Sequence, residues 1–119
     1  MNRYKITSLL LASVVATFTI SAQTPGKIKK GEKYFDGYSY EKAIEKYESF
    51  ETKSTEVKRK LAESYAKIGK TEKSETYYAE VVNSSESNQE DFYAYASVLS
   101  MNGKHAESEK WMEKYSGRG

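Results

Sequence analysis

The chain contains no cysteine. Disulfides, thiolate metal sites, thiol nucleophiles and a lipid-modified N-terminal cysteine are excluded, and the redox character of its compartment leaves no mark. Histidine is almost as scarce. His105 stands alone, so neither a multi-histidine metal site nor a Ser-His-Asp triad can be assembled. Aspartate occurs only at Asp36 and Asp91, and the more numerous glutamates sit on polar helix faces without a second carboxylate in a recognisable pocket. No catalytic residue, cofactor or metal is indicated, and the chain reads as a non-enzyme. A charge excess is lacking too. Of 19 basic residues two lie in the first 22 positions, where no acidic residue occurs, so the remainder carries 17 basic against 17 acidic residues. That balance leaves no electrostatic footprint for nucleic acid. What is present is 119 residues, 38% hydrophobic and 30% charged, which suits one soluble globular or repeat domain.

Long hydrophobic runs are missing except at the start. Arg3 and Lys5 precede an uncharged stretch from Ile6 to Ile20, followed by Ser21, Ala22 and Gln23. A basic region, an apolar region and a small-residue end describe a secretory signal over residues 1–22. The uncharged stretch is short, and it is diluted by Thr7, Ser8, Ser13, Thr17 and Thr19. A spanning helix wants about 20 predominantly apolar residues, so export with cleavage near Ala22 is expected and no membrane span remains afterwards.

The rest has helical periodicity. Ile28, Gly31, Tyr34, Phe35 and Tyr38 recur in steps of three and four, as do Tyr40, Ala43, Ile44, Tyr47 and Phe50. Gly37 is expected to break the first helix and Ser39 to cap the second. Val57, Leu61, Tyr65 and Ile68 form a third stripe ended by Gly69. Thr71 is the expected cap of a fourth segment holding Tyr77, Tyr78, Val81 and Val82. Asn88 is the expected cap of a fifth with Phe92, Tyr95, Ala96 and Leu99. Beyond Gly103, Trp111, Met112 and Tyr115 mark a sixth. Glu56 with Lys60 and Glu63 with Lys67 are spaced for favourable pairing along one helix.

Self-similarity is the stronger signal. One constant interval separates Ala62 from Ala96, Gly69 from Gly103, Lys70 from Lys104, Ser74 from Ser108, and Tyr78 from Met112. That interval is the period of the tetratricopeptide repeat, about 34 residues, and the step from Ala43 to Ser74 is shorter by about three positions. Gly31, Tyr34, Tyr40, Ala43 and Tyr47 fill the repeat's pattern in the first unit, with Gly37 displaced by one. Ala62, Tyr65, Gly69, Ser74 and Tyr78 fill the second, and Ala96, Leu99, Gly103, Ser108 and Met112 the third, with Thr71 and His105 in the slot for an aromatic after the turn. The motif's early tryptophan and late proline are absent. The chain thus resembles tetratricopeptide proteins over residues 24–116. The expected fold is an all-α solenoid of three helix-turn-helix repeats, at about 24–54, 55–88 and 89–116, within a domain spanning 23–119.

The wording KIKKGEKYFDGYSYEKAIEKYE, with its two later counterparts, is similar to the exported N-terminal tetratricopeptide region of OmpA-family envelope proteins of the Bacteroidota. This resemblance implies an exported, periplasmic, outer-membrane-associated scaffold that binds a protein or peptide partner. A stand-alone periplasmic adaptor is the alternative, and an enzyme or small-ligand protein is the third reading. In that family a β-propeller-like region and a peptidoglycan-binding OmpA-like domain commonly follow, and these are not expected within the 119 residues. Peptidoglycan binding is therefore not carried over.

The same resemblance implies that the first helix of each pair lines a concave groove. The residues in that register are Glu32, Phe35, Asp36, Arg59, Glu63, Lys67, Tyr93, Ser97 and Met101, with Phe35 and Tyr93 as anchors. Glu32, Glu63 and Ser97 stand where a carboxylate clamp would need asparagine, which disfavours an acidic peptide tail. Trp111, Met112 and Tyr115 are expected to lie uncapped at the end of the stack, against a further domain, a partner or a second copy. Two other motifs fall away. Gly69, Lys70 and Thr71 resemble the end of a phosphate-binding loop, but Ser64 replaces its first glycine and a helix precedes it. Aromatics among lysines could suggest single-stranded nucleic acid, yet they fall in core register among alternating Lys and Glu.

Overall fold

The computed structural model describes residues 25–117, so the signal expected over residues 1–22 lies outside the described residues. Among those described, six helices follow one another: α1 (Pro25–Asp36), α2 (Tyr40–Glu48), α3 (Thr55–Lys67), α4 (Thr71–Val82), α5 (Gln89–Met101) and α6 (His105–Tyr115). Each packs on its chain neighbours, α1 on α2, α3 on α4 and α5 on α6 within hairpins, and α2 on α3 and α4 on α5 between them. The fold is an all-α helical repeat, with the three hairpins that the sequence spacings predict.

The hairpin turns share one geometry. The N–H of Tyr38 donates to Phe35 O and that of Ser39 to Tyr34 O; Gly69 with Lys70, and Gly103 with Lys104, repeat the pair. These bonds satisfy carbonyls left open at a helix end, and they place the first residue of each pair in the left-handed region. Gly69 has φ 82° and Gly103 φ 81°. In the first hairpin that position belongs to Tyr38, at φ 60°, and not to Gly37, which the sequence puts forward as the breaker. Gly37 falls one residue early and takes no part in the left-handed step.

The caps also differ from expectation. Thr71 is the first residue of α4, and Lys70 stands at the cap position without a side-chain cap bond. Ser39 is at the cap of α2, but its side chain accepts no backbone N–H. The cause is shared: Ser39, Lys70 and Lys104 have ψ between 62° and 69°, set by the tight turn. Side-chain capping works from extended backbone, as at Ser54, ψ 165°, and Asn88, ψ 173°. Ser54 accepts from Val57 N, and Asn88 forms a full capping box with Asp91, as its sequence position predicts.

Two buried clusters run across the hairpin junctions. Ala43, Tyr47 and Phe50 of the first hairpin meet Val57, Leu61 and Tyr65 of the second. Ala62, Tyr78 and Val82 then meet Tyr95, Val98 and Leu99 of the third. Small residues set the approach within hairpins. A Cβ at Gly31 would lie 2.4 Å from the Tyr47 ring, so glycine is required for that ring to rest on α1. In the later hairpins Ser74 Oγ donates to Ala62 O at 2.6 Å, and Ser108 Oγ to Ala96 O at 2.7 Å, so donor and acceptor alike recur one repeat later.

Candidate interaction surface

The nine groove residues come from α1, α3 and α5, the first helices of the three hairpins, and the structure gives them different duties. Phe35 is half-buried. It packs on the first cluster, lies edge-on to Tyr40 at 5.6 Å between ring centroids, and carries the Lys60 ammonium 4.1 Å from its ring centre. Lys60 is therefore spent on Phe35, and Glu56 pairs with Arg59 instead of with Lys60. Glu63 and Lys67 form no ion pair among the described residues.

Arg59 is a joint. Its Nε donates to Asp91 Oδ1 at 2.7 Å and its Nη2 to Asp91 Oδ2 at 2.9 Å, while a further Nη2 bond reaches Glu86 O and Nη1 meets Glu56. Asp91 is 3% exposed and also accepts from Asn88 N, so this forked pair ties α3 to the start of α5 with the carboxylate fully used. The Asp91 hydrogen bond, partly opposed by burial, pushes the guanidinium further above its already high range. Four of the five guanidinium N–H groups are thus engaged within the protein, which makes Arg59 a joint rather than a groove residue. Sequence reading placed it in the groove because a partner in the next hairpin leaves no local signal; only the place of Asp91 in the first turn after Asn88 betrays the cap.

Exposed apolar surface in this set is concentrated at α5. Tyr93 is 50% and Met101 66% exposed, and Ser97 between them bonds back to Tyr93 O within the helix. Glu32, Asp36 and Lys67 are exposed charges. Tyr93 also lies against Tyr115, centroids 5.3 Å apart, which joins the proposed groove to the end of the stack. At that end Trp111 turns inward, half-buried between Phe92 at 5.6 Å and Tyr95 at 5.2 Å. Met112 and Tyr115 remain on the outer face. With Glu109, Glu113 and Ser116 they line a depression of about 650 Å³.

A second unforeseen feature is the Glu48 carboxylate. Tyr65 and Tyr77 each donate to one of its oxygens at 2.6 Å, and Lys53 approaches at 3.7 Å. Burial acts to raise this carboxyl, but the two hydroxyls and the nearby lysines outweigh it and hold Glu48 below the usual range. Burial first, and Glu48 second, push both phenols well above theirs. Glu75 is held low chiefly by Lys104, whose Nζ lies at 2.6 Å, and by Asn102. Apart from the local approach of Lys53, these are contacts between hairpins, arranged as joints. No group of three or more His, Asp or Glu side chains able to hold a metal occurs among the described residues, and no helix among them is long and apolar enough to cross a membrane. No protein-family model matches the chain, and no curated protein matches it in sequence.

Proposed function

We propose that the chain is an exported tetratricopeptide-type scaffold of the cell envelope, corresponding to the N-terminal module of an OmpA-like outer-membrane-associated protein and binding a protein partner through its first-helix face. One observation carries this reading. Apart from Tyr38 in the first turn and Met112 and Tyr115 at the end of the stack, the large apolar side chains among the described residues are at least partly buried, whereas Tyr93 and Met101 stay exposed on α5, two turns apart on the face the repeat register assigns to the groove. Exposed aromatic and methionine side chains on a rigid helix are the usual energetic anchors of an interface. The polar clusters support it in a second way, because each is consumed in joining hairpins and none is arranged as acid, base or nucleophile.

Two experiments test it. Affinity capture from envelope extracts should lose the bound partner with Tyr93→Ala and Met101→Glu. Both positions are exposed, so the fold survives, whereas Phe35→Ala would confuse binding with stability. Equal recovery by wild type and both variants would remove the groove. Cell fractionation with and without residues 1–22 should move the protein from the exported to the retained fraction.

A further inference from the structure

Each hairpin junction is closed in the same way. Two buried side chains recur at equivalent positions at the end of each hairpin: Tyr47 on α2 and Phe50 just beyond it, 1% and 3% exposed and clustered with Val57, Leu61 and Tyr65 of the next hairpin, and Tyr78 and Val81 on α4, 5% and 0%, with Tyr78 clustered with Tyr95, Val98 and Leu99. The repeat spacings put Met112 and Tyr115 in those places on α6, where they are 37% and 39% exposed. The carboxylates follow suit. Glu109 occupies the position of Glu75, which binds Asn102 and Lys104 of the following hairpin, and Glu113 that of Glu48, which binds Tyr65 and Tyr77. The outer face of α6 therefore repeats the features of a junction, and its lining carries two carboxylates and no cation.

The opposite end has the complementary composition. First helices meet the preceding hairpin through Leu61 in α3 and through Tyr95 and Val98 in α5, and Ser64, one repeat before Val98, is buried as they are. In α1 the same register holds Lys30 and Lys33, both exposed. We propose that the α1 face of one copy seats on the α6 face of another, head to tail. The Lys30 and Lys33 ammonium groups meet Glu109 and Glu113, while their aliphatic stems cover Met112 and Tyr115. Face-to-face pairing of two α6 helices would instead oppose carboxylates. A head-to-tail contact is heterologous, so copies add in series, as an open filament or, where the rotation between copies permits, as a closed ring. It uses no groove residue and stands apart from the scaffold reading.

Sedimentation velocity on the purified chain tests this. Wild type should form concentration-dependent species beyond the dimer, weakened by salt because the contact is led by charge. Glu109→Lys with Glu113→Lys, and separately Lys30→Glu with Lys33→Glu, should each weaken association by about tenfold or more, since attraction becomes repulsion. Mixing these two charge-reversed proteins restores complementary faces and should rebuild the assembly that neither forms alone. Circular dichroism should show helix content unchanged in both, as all four positions are exposed. A wild type that stays monomeric at low salt would overturn the proposal. So would a dimer that survives the Lys30 and Lys33 reversal, which would assign α6 to symmetric pairing, or a mixture no larger than its components.

Discussion

Tyr38 sits at φ 60° in a turn where the two later hairpins use glycine. A side chain in the left-handed region crowds the following carbonyl, at a cost of about 1–2 kcal/mol, and little offsets it because Tyr38 is 79% exposed. Tyr38→Gly should raise stability by about 1 kcal/mol in urea unfolding, while Gly69→Ala or Gly103→Ala should lower it by a similar amount. A loss on Tyr38→Gly would show that its 6.2 Å contact with Tyr40 outweighs the strain. Tyr47 presents a second residue-scale test. It is 1% exposed, its hydroxyl has no hydrogen-bond partner among the described residues, and burial with the charges of Glu32, Asp36 and Glu56 pushes its titration up to about 12. Leaving a hydroxyl desolvated and unpaired costs about 1–3 kcal/mol, so Tyr47→Phe should be neutral or stabilising by up to about 1 kcal/mol. A clear drop in the urea midpoint would reveal a partner for that oxygen.

At the scale of elements, periodicity carries most of the fold and none of the polar joints. Steps of three and four place all six helices, because each must bury one stripe and because the same stripe returns with every repeat. The left-handed turn is legible at Gly69 and Gly103, where only glycine is unstrained, and illegible at Tyr38, where a tyrosine tolerates the strain next to a misleading Gly37. Arg59 and Asp91 are the clearest omission. Charged residues on helices normally face water, so nothing local marks a pair that spans two hairpins. Arg59→Ala would leave Asp91 buried with only its Asn88 bond. Breaking a buried pair costs about 3–5 kcal/mol, and the lower end applies since the Arg59 side chain is 21% exposed. Arg59→Lys should recover only part of that loss, because a single ammonium cannot make both parallel bonds. A variant within about 0.5 kcal/mol of wild type in urea titration would show the joint to be ornamental.

At the scale of the molecule, every substantial helix contact among the described residues is between chain neighbours, so the stack holds together only as well as its two junctions. Each junction places a carboxylate under donors from the next hairpin: Glu48 under Tyr65 and Tyr77, Glu75 under Lys104 and Asn102. Both carboxyls titrate below their ordinary range when folded. The unfolded chain therefore takes up protons first as pH falls, and the stabilisation from these groups is present above about pH 4.3 and is lost as pH drops through the lower folded values. Acid should loosen both junctions together, where hairpins packed by apolar contacts alone would be indifferent. The urea midpoint is expected to hold steady from pH 7 to about pH 5 and to decline towards about pH 3. Glu48→Gln separates this cause from general charge repulsion. Its amide oxygen can accept from the tyrosines but carries no charge, so stability at pH 7 should fall by about 1–2 kcal/mol while the decline in acid becomes shallower. A Glu48→Gln protein with the wild-type midpoint at pH 7 and the same acid slope would mean that the junction is held by its aromatic and aliphatic packing, with the carboxylate a bystander.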